Sequence, residues 1–193
     1  MEDGRPRLSS STHSLRAARI LSIAGHPFVL IPLMVAAATR NWIPTAIVGA
    51  VTILPLLVIT LRNVRRGVWS DHDVSRREER GGLYRAAFPL IGIAALVLWL
   101  LDASPRMMRG FAAAAVMLAL GLLGNRFLKI SLHVMVAAFC AVTIGRIYPR
   151  AIYAIVPFVA AIAWSRRKLD RHTWAEVAVG LTIGGAAAFI ASL

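Results

Sequence analysis

Acidic residues are scarce in this chain: nine Asp and Glu stand against 22 Lys and Arg in 193 residues, a formal charge of +13. Such an excess of cations suits nucleic acid. Here, however, the cations cluster in short loops between apolar runs, the usual signature of membrane topology, so nucleic acid is excluded as a partner. Cysteine is nearly absent. Cys140 alone, inside an apolar run, leaves no intramolecular disulfide and no thiolate metal cluster, and is most simply a small core residue. Charge is almost missing from the apolar runs themselves. With 58% hydrophobic residues and a mean hydropathy of +0.68, the chain is too apolar for an ordinary soluble domain of its length. The expected fold class is all-α, a polytopic bundle of six to seven transmembrane helices in the cell membrane.

Residues 1–19 are polar, Ser-rich and basic, and are expected to form a flexible tail ahead of a single transmembrane domain over residues 20–193. The first run, Ile20 to Thr39, is about as long as a membrane crossing requires. His26 and Pro27 fall inside it, which predicts a kinked helix with the histidine bonded to a neighbouring carbonyl. Trp42 to Leu61 follows, with Trp42 where an aromatic belt residue would sit. A polar stretch from Arg62 to Arg85 then carries seven arginines and four acids. Two hairpins come next, Ala86–Leu101 with Gly110–Gly124 turning at Asp102 to Pro105, and Ile130–Gly145 with Ala151–Trp164 turning at Tyr148-Pro149. The last run extends from about Trp174, with Gly180, Gly184 and Ala188 as a small-residue seam for close helix approach. Strict alternation of seven spans puts 17 Lys and Arg on one face and 5 on the other, which makes the richer face, N-terminus included, cytoplasmic.

The polar chemistry is concentrated on that face. His172 and Glu176 are four residues apart, so on one helix they share a face, and the carboxylate can hold the imidazole in one tautomer. Ser131 stands where an N-cap would stand, and a helix N-terminus with a hydroxyl and free N–H groups suits an anion. Arginines from two other loops, Arg80 and Arg166, suit a phosphate. His133 and His172 supply a proton donor and a nucleophile. Together these residues are complete for phosphoryl transfer without a metal or other cofactor.

The same residues resemble the type-2 phosphatidic-acid phosphatases, which share a helical fold with vanadium haloperoxidases. The family's third motif, Ser-Arg, five residues, His, three residues, Asp, is matched by Ser165-Arg166, His172 and Glu176, with Glu for Asp; Val177 and Gly180 also recur. Its second motif, Pro-Ser-Gly-His, survives as Ile130-Ser131-Leu132-His133. Of the first, Lys, six residues, Arg-Pro, only Arg80 remains, with Asp73 at the lysine and Gly81 at the proline. The resemblance implies His172 as the nucleophile that becomes phosphohistidine, Glu176 as its orienting acid and His133 as the acid for the leaving alkoxide. Arg80, Ser131 and Arg166 would cradle the phosphate of a lipid or polyprenyl phosphate (or diphosphate) drawn from the bilayer.

Two rivals stand beside this expectation. The altered first and second motifs suit a non-catalytic membrane protein of the same fold that binds a lipid phosphate or serves in transport or assembly. Asp71 and Asp73 could instead ligate Mg²⁺ for a diphosphate, as in membrane prenyl transferases, although the sequence lacks a second aspartate-rich motif to complete such a site.

Overall fold

Pro27 decides where the first two helices break. A computed structural model of the chain describes residues 8–192, all-helical with no strand among them. Helices α1 (Leu8–Ala24) and α2 (Pro27–Thr39) meet at 50° across Gly25-His26. Pro27 has no N–H to continue α1 and is pre-set for the first turn of α2. His26 is the N-cap, with extended backbone and its Nδ1 accepting from the Phe28 amide at 3.1 Å. The expected kinked span is thus a broken one, and His26 accepts a backbone proton rather than donating to a carbonyl. α1 also begins at Leu8, inside the stretch expected to be a tail, while residues 1–7 lie outside the described residues.

The next rod is continuous over Trp42–Arg65, built of α3 (Trp42–Ile47), a π-helical stretch (Val48–Ile53) and α4 (Leu54–Arg65). The widened turn runs into Pro55, which cannot donate in either register. α5 (Arg80–Leu100) and α6 (Pro105–Gly124) form the first hairpin at the expected turn. Asp102 takes a left-handed conformation there, and the Ser104 hydroxyl caps Met107 N at 3.3 Å. α7 (Leu132–Ile147) and α8 (Ile152–Lys168) form the second hairpin through a short 3-10 turn at Pro149–Ala151. α9 (Trp174–Ala191) closes the bundle.

Four of these rods are long and apolar enough to cross a membrane, Trp42–Arg65, α5, α6 and α9, and a fifth if the bent α1–α2 pair counts as one. That is fewer than the six to seven expected from apolar runs alone. The difference lies in α7 and α8. At 16 residues α7 is short of the roughly 20 needed, and His133 through Cys140 are all buried. Its apolarity therefore serves the protein core: α7 packs against α2, α8 and α9.

The α7–α9 contact depends on the glycine seam. A Cβ on Gly180 would stand 3.0 Å from the Ser131 carbonyl oxygen, and one on Gly184 would overlap the Met135 carbonyl, backbone that cannot move aside alone. Gly185, one residue on, faces open space. Helix propensity favours alanine over glycine by up to ~1 kcal/mol, but forcing packed backbones apart costs about 3 kcal/mol. Gly184→Ala is therefore expected to lower the thermal unfolding temperature in detergent sharply, and Gly185→Ala to leave it level or raise it.

Candidate functional site

The N-terminal ends of α5, α7 and α9, the C-terminal end of α8 and the 66–79 loop meet in one place, and α1 reaches it through Ser22. Arg80, the first residue of α5, is 2% exposed; its Nε donates to the Val74 carbonyl at 3.2 Å and its Nη1 to the Ile130 carbonyl. Those bonds set the guanidinium beside Ser131. Val74 itself has φ 48°, a costly conformation for a β-branched residue, and is buried. That turn aims its carbonyl at Arg80 while the neighbouring Asp73 reaches Arg166. Arg166, in the last turn of α8, is 1% exposed and donates through Nη1 to Asp73 Oδ2 at 2.8 Å and to Ser22 Oγ at 2.6 Å.

His172 is held from two sides. Its Nδ1 lies 2.9 Å from the Lys129 carbonyl and 3.2 Å from Glu176 Oε2, both acceptors, which places the proton on Nδ1 and leaves the lone pair on Nε2. Arg167 fixes the backbone by donating to the His172 carbonyl at 2.7 Å. Burial pushes the imidazole pKa down, to about 3, and Arg80, Arg166 and Lys129 push the same way against the Lys129 carbonyl bond. The ring is thus neutral at physiological pH.

This has a consequence for stability. A depressed histidine pKa contributes nothing above the ordinary imidazole value, where folded and unfolded rings are both neutral. Below it the unfolded state takes up a proton that the folded state refuses. Stability is lost as pH falls from about 6.5 toward 3, by about 2 kcal/mol already at pH 5. His172→Gln is expected to flatten this part of the pH-stability curve, measured by thermal unfolding in detergent.

Glu176 serves two masters. Thr173 and Glu176 form a reciprocal capping box at the start of α9, the Glu176 carboxylate accepting from Thr173 N at 3.0 Å with the same oxygen that faces His172. The longer glutamate reaches the imidazole, as expected. The Lys129 carbonyl, a second acceptor for the same proton, was not foreseen, because no residue type marks a backbone group. The capping box was legible as Thr-x-x-Glu.

Ser131 occupies the N-cap position of α7 but makes no side-chain capping bond, and its amide is engaged, donating to the Glu176 carbonyl at 3.3 Å. The N–H groups that a helix N-terminus offers an anion are those of the following first turn, Leu132 to Val134. The Ser131 hydroxyl oxygen is fully buried. Ser131 Oγ, His133 Nε2 and Arg166 Nε are enclosed polar atoms with no hydrogen-bond partner among the described residues. Buried polar groups are rarely left so, and three of them, two at the start of α7 and one at the end of α8, suit a ligand rich in acceptor oxygens. Arg80 and Arg166 bear electrostatically on both His133 and His172, and His172 bears on His133. All six residues singled out in the sequence thus belong to one cluster.

No family model, curated protein or solved structure compared with this chain matches it.

Two further residues join the cluster. The sequence sets Asp73 at the family's lysine position, or makes it half of a metal-binding pair with Asp71. Instead Asp71 faces Arg171 at 2.9 Å and caps its own loop, while Asp73 faces Arg166. Burial raises the Asp73 pKa, but the Arg166 charge and hydrogen bond outweigh it and hold the carboxyl below its ordinary value. Asp73 Oδ1 also lies 3.9 Å from His26 Nε2 and 3.8 Å from His133 Nε2, and the two rings meet edge to face at 4.9 Å. His26, Asp73 and His133 are close enough to surround a cation. Their bonding suits one poorly. His26 Nδ1 is an acceptor, so Nε2, the atom facing Asp73, bears a proton and offers no lone pair. Asp73 already faces a guanidinium. Counting Arg80, Lys129 and Arg166 against Asp73 and Glu176, with neutral imidazoles, leaves the cluster one charge positive, which favours an anion.

Proposed function

We propose that this protein is a membrane-embedded, metal-independent phosphatase that hydrolyses a lipid or polyprenyl phosphate (or diphosphate) through a phosphohistidine on His172. The observation that carries the reading is a neutral, buried imidazole whose Nδ1–H is tied back, which leaves its Nε2 lone pair free within the electrostatic reach of Arg80 and Arg166. The enclosed, unpartnered Arg166 Nε and Ser131 Oγ supply donors for phosphoryl oxygens. The likeness of Ser165 to Glu176 to the phosphatidic-acid-phosphatase motif adds to it.

In this reading the Nε2 of His172 attacks phosphorus as the bond to the alkoxide oxygen breaks. His133 gives its proton to that oxygen and the lipid alcohol leaves; the substrate's negative charge favours the protonated ring. Water then attacks the phosphohistidine, its proton goes to His133, and inorganic phosphate departs with His172 restored. We further read the apolar helices, with the shorter α7 and α8 counted as crossings within the bundle, as six to seven crossings with a phosphatidic-acid-phosphatase-like core, the site and N-terminus on the cytoplasmic side of the cell membrane. A cysteine introduced at Lys168 is then expected to resist an impermeant reagent in intact cells.

Phosphate release from short-chain phosphatidic acid and from a polyprenyl phosphate, measured on detergent-purified protein with EDTA, tests the activity. Release is expected. No release from any lipid phosphate, with binding intact, would favour the non-catalytic reading, and release only with added Mg²⁺ would favour a metal site.

A further inference from the structure

The carboxylate of Asp73 lies where an anion would lie. Its Oδ2 accepts from Arg166 Nη1 at 2.8 Å, and its Oδ1 stands 3.8 Å from His133 Nε2 and 3.9 Å from His26 Nε2. Arg166, in the last turn of α8, and His133, in the first turn of α7, are among the groups that receive the phosphate in the reading above. Asp73 therefore competes with that phosphate for the same guanidinium.

The carboxylate fills this seat poorly. Hydrogen bonds from ring nitrogen reach about 3.2 Å, so both imidazoles stand off from Oδ1. The His26 proton is on Nε2, because Nδ1 accepts from the Phe28 amide, and that N–H meets an acceptor too distant to take it. Arg166 Nε is enclosed and has no partner among the described residues. A planar carboxylate offers only two oxygens, whereas a phosphoryl group spreads three acceptors around a tetrahedron and can serve Arg166, His26 and His133 together.

The carboxylate also has somewhere to go. Asp73 lines the cavity at the α1–α2 break, with His72 and Thr60 on the same wall, so rotation of its side chain carries the charge away from Arg166. The loop can stay in place. Its flanks are tied down by Asp71, which faces Arg171, and by Glu79, whose carboxylate accepts from the Ser70 amide and hydroxyl.

We propose that Asp73 is an internal occupant of the anion seat, displaced when a phosphate binds, and that His26 is a phosphate-binding residue, donating its Nε2–H to the arriving oxygen. The ligand is taken from the phosphatase reading above, on which this inference rests. Asp73 keeps the Arg166 charge paired while the seat is without phosphate, and its expulsion costs affinity. A headgroup must replace that negative charge to enter, which excludes uncharged lipids from the seat.

Inorganic phosphate titrated into the full-length protein in detergent tests this without turnover. Asp73→Asn is expected to bind phosphate about tenfold more tightly than wild type, because a like charge leaves the seat. His26→Asn keeps a side-chain oxygen to cap the Phe28 amide but loses the Nε2 donor, and is expected to bind about tenfold more weakly. Equal or weaker binding by Asp73→Asn, the outcome for a carboxylate that only holds Arg166 in place, would overturn the proposal, as would wild-type affinity in His26→Asn. The wild type gives a second readout that needs no variant to fold. In protein carrying isotope-labelled histidine, saturating phosphate is expected to move the His26 Nε2–H proton resonance downfield as it gains an acceptor. A resonance that stays in place at saturation, or no phosphate binding at all, would overturn the proposal. Failure of the phosphatase reading looks different: phosphate binds with this signature, yet no lipid phosphate is hydrolysed.

Discussion

His172→Ala is expected to reduce phosphate release by at least about 10³-fold, the scale of loss when a covalent nucleophile is removed. Of the cluster's imidazoles beside Arg80 and Arg166, His172 is the one whose hydrogen bonds fix the proton on Nδ1 and leave Nε2 free. His133 Nε2 and His26 Nε2 both face the Asp73 carboxylate, whereas His172 turns its proton away toward Lys129 and Glu176. The fold is expected to tolerate the change, since the α9 capping box belongs to Thr173 and Glu176. Glu176→Gln is the informative contrast. The Lys129 carbonyl still accepts the Nδ1 proton in that variant, so the loss is expected to be about tenfold, the lower end of what outer orienting groups contribute. Phosphate-release kinetics on both variants check the two values together.

The second large effect concerns Arg166. Removing one partner of a buried pair leaves an uncompensated charge, at about 3–5 kcal/mol. Arg166→Ala strands the Asp73 carboxylate and the Ser22 hydroxyl at the meeting point of α1, α8 and the 66–79 loop. It is expected to lower unfolding stability by that amount and to weaken inorganic phosphate binding at least tenfold. Arg166→Lys should recover part of the stability but little of the binding, because one ammonium cannot serve Ser22, Asp73 and a phosphate oxygen in fixed directions. Combining Arg166→Met with Asp73→Asn removes both charges and is expected to regain most of the stability with no binding. Thermal unfolding and phosphate titration of the four proteins measure these separately.

The sequence carried the cluster further than it carried the span count. The spacing from Ser165 to Glu176 is local, and the helix ends that gather the site are marked by short polar loops, so their common face was legible. The partners of Arg166 were not. Ser22 and Asp73 lie 144 and 93 residues upstream, and nothing local distinguishes a serine on α1 or an aspartate in an arginine-rich loop as a guanidinium acceptor. His26 carried a signal that was open to two readings: a polar residue before proline marks a helix start as readily as a kink. Four or five rods have the length and apolarity of a crossing, against six to seven apolar runs in the sequence. An apolar helix sealed by α2, α8 and α9 has the composition of one facing lipid, and in α7 only burial tells the two apart. Glu176 shows the converse. Its capping role is local and legible as Thr-x-x-Glu, and the same carboxylate oxygen also faces His172.

The central claim is that His172 becomes covalently phosphorylated. Rapid mixing with the hydrolysed lipid phosphate in EDTA, an alkaline quench within milliseconds, and peptide mass spectrometry measure it most directly. The account expects one phosphoryl group on His172, stable to base, lost in acid, and absent from His172→Ala. No phosphopeptide during steady turnover, or a phosphoryl group on another side chain, would contradict it.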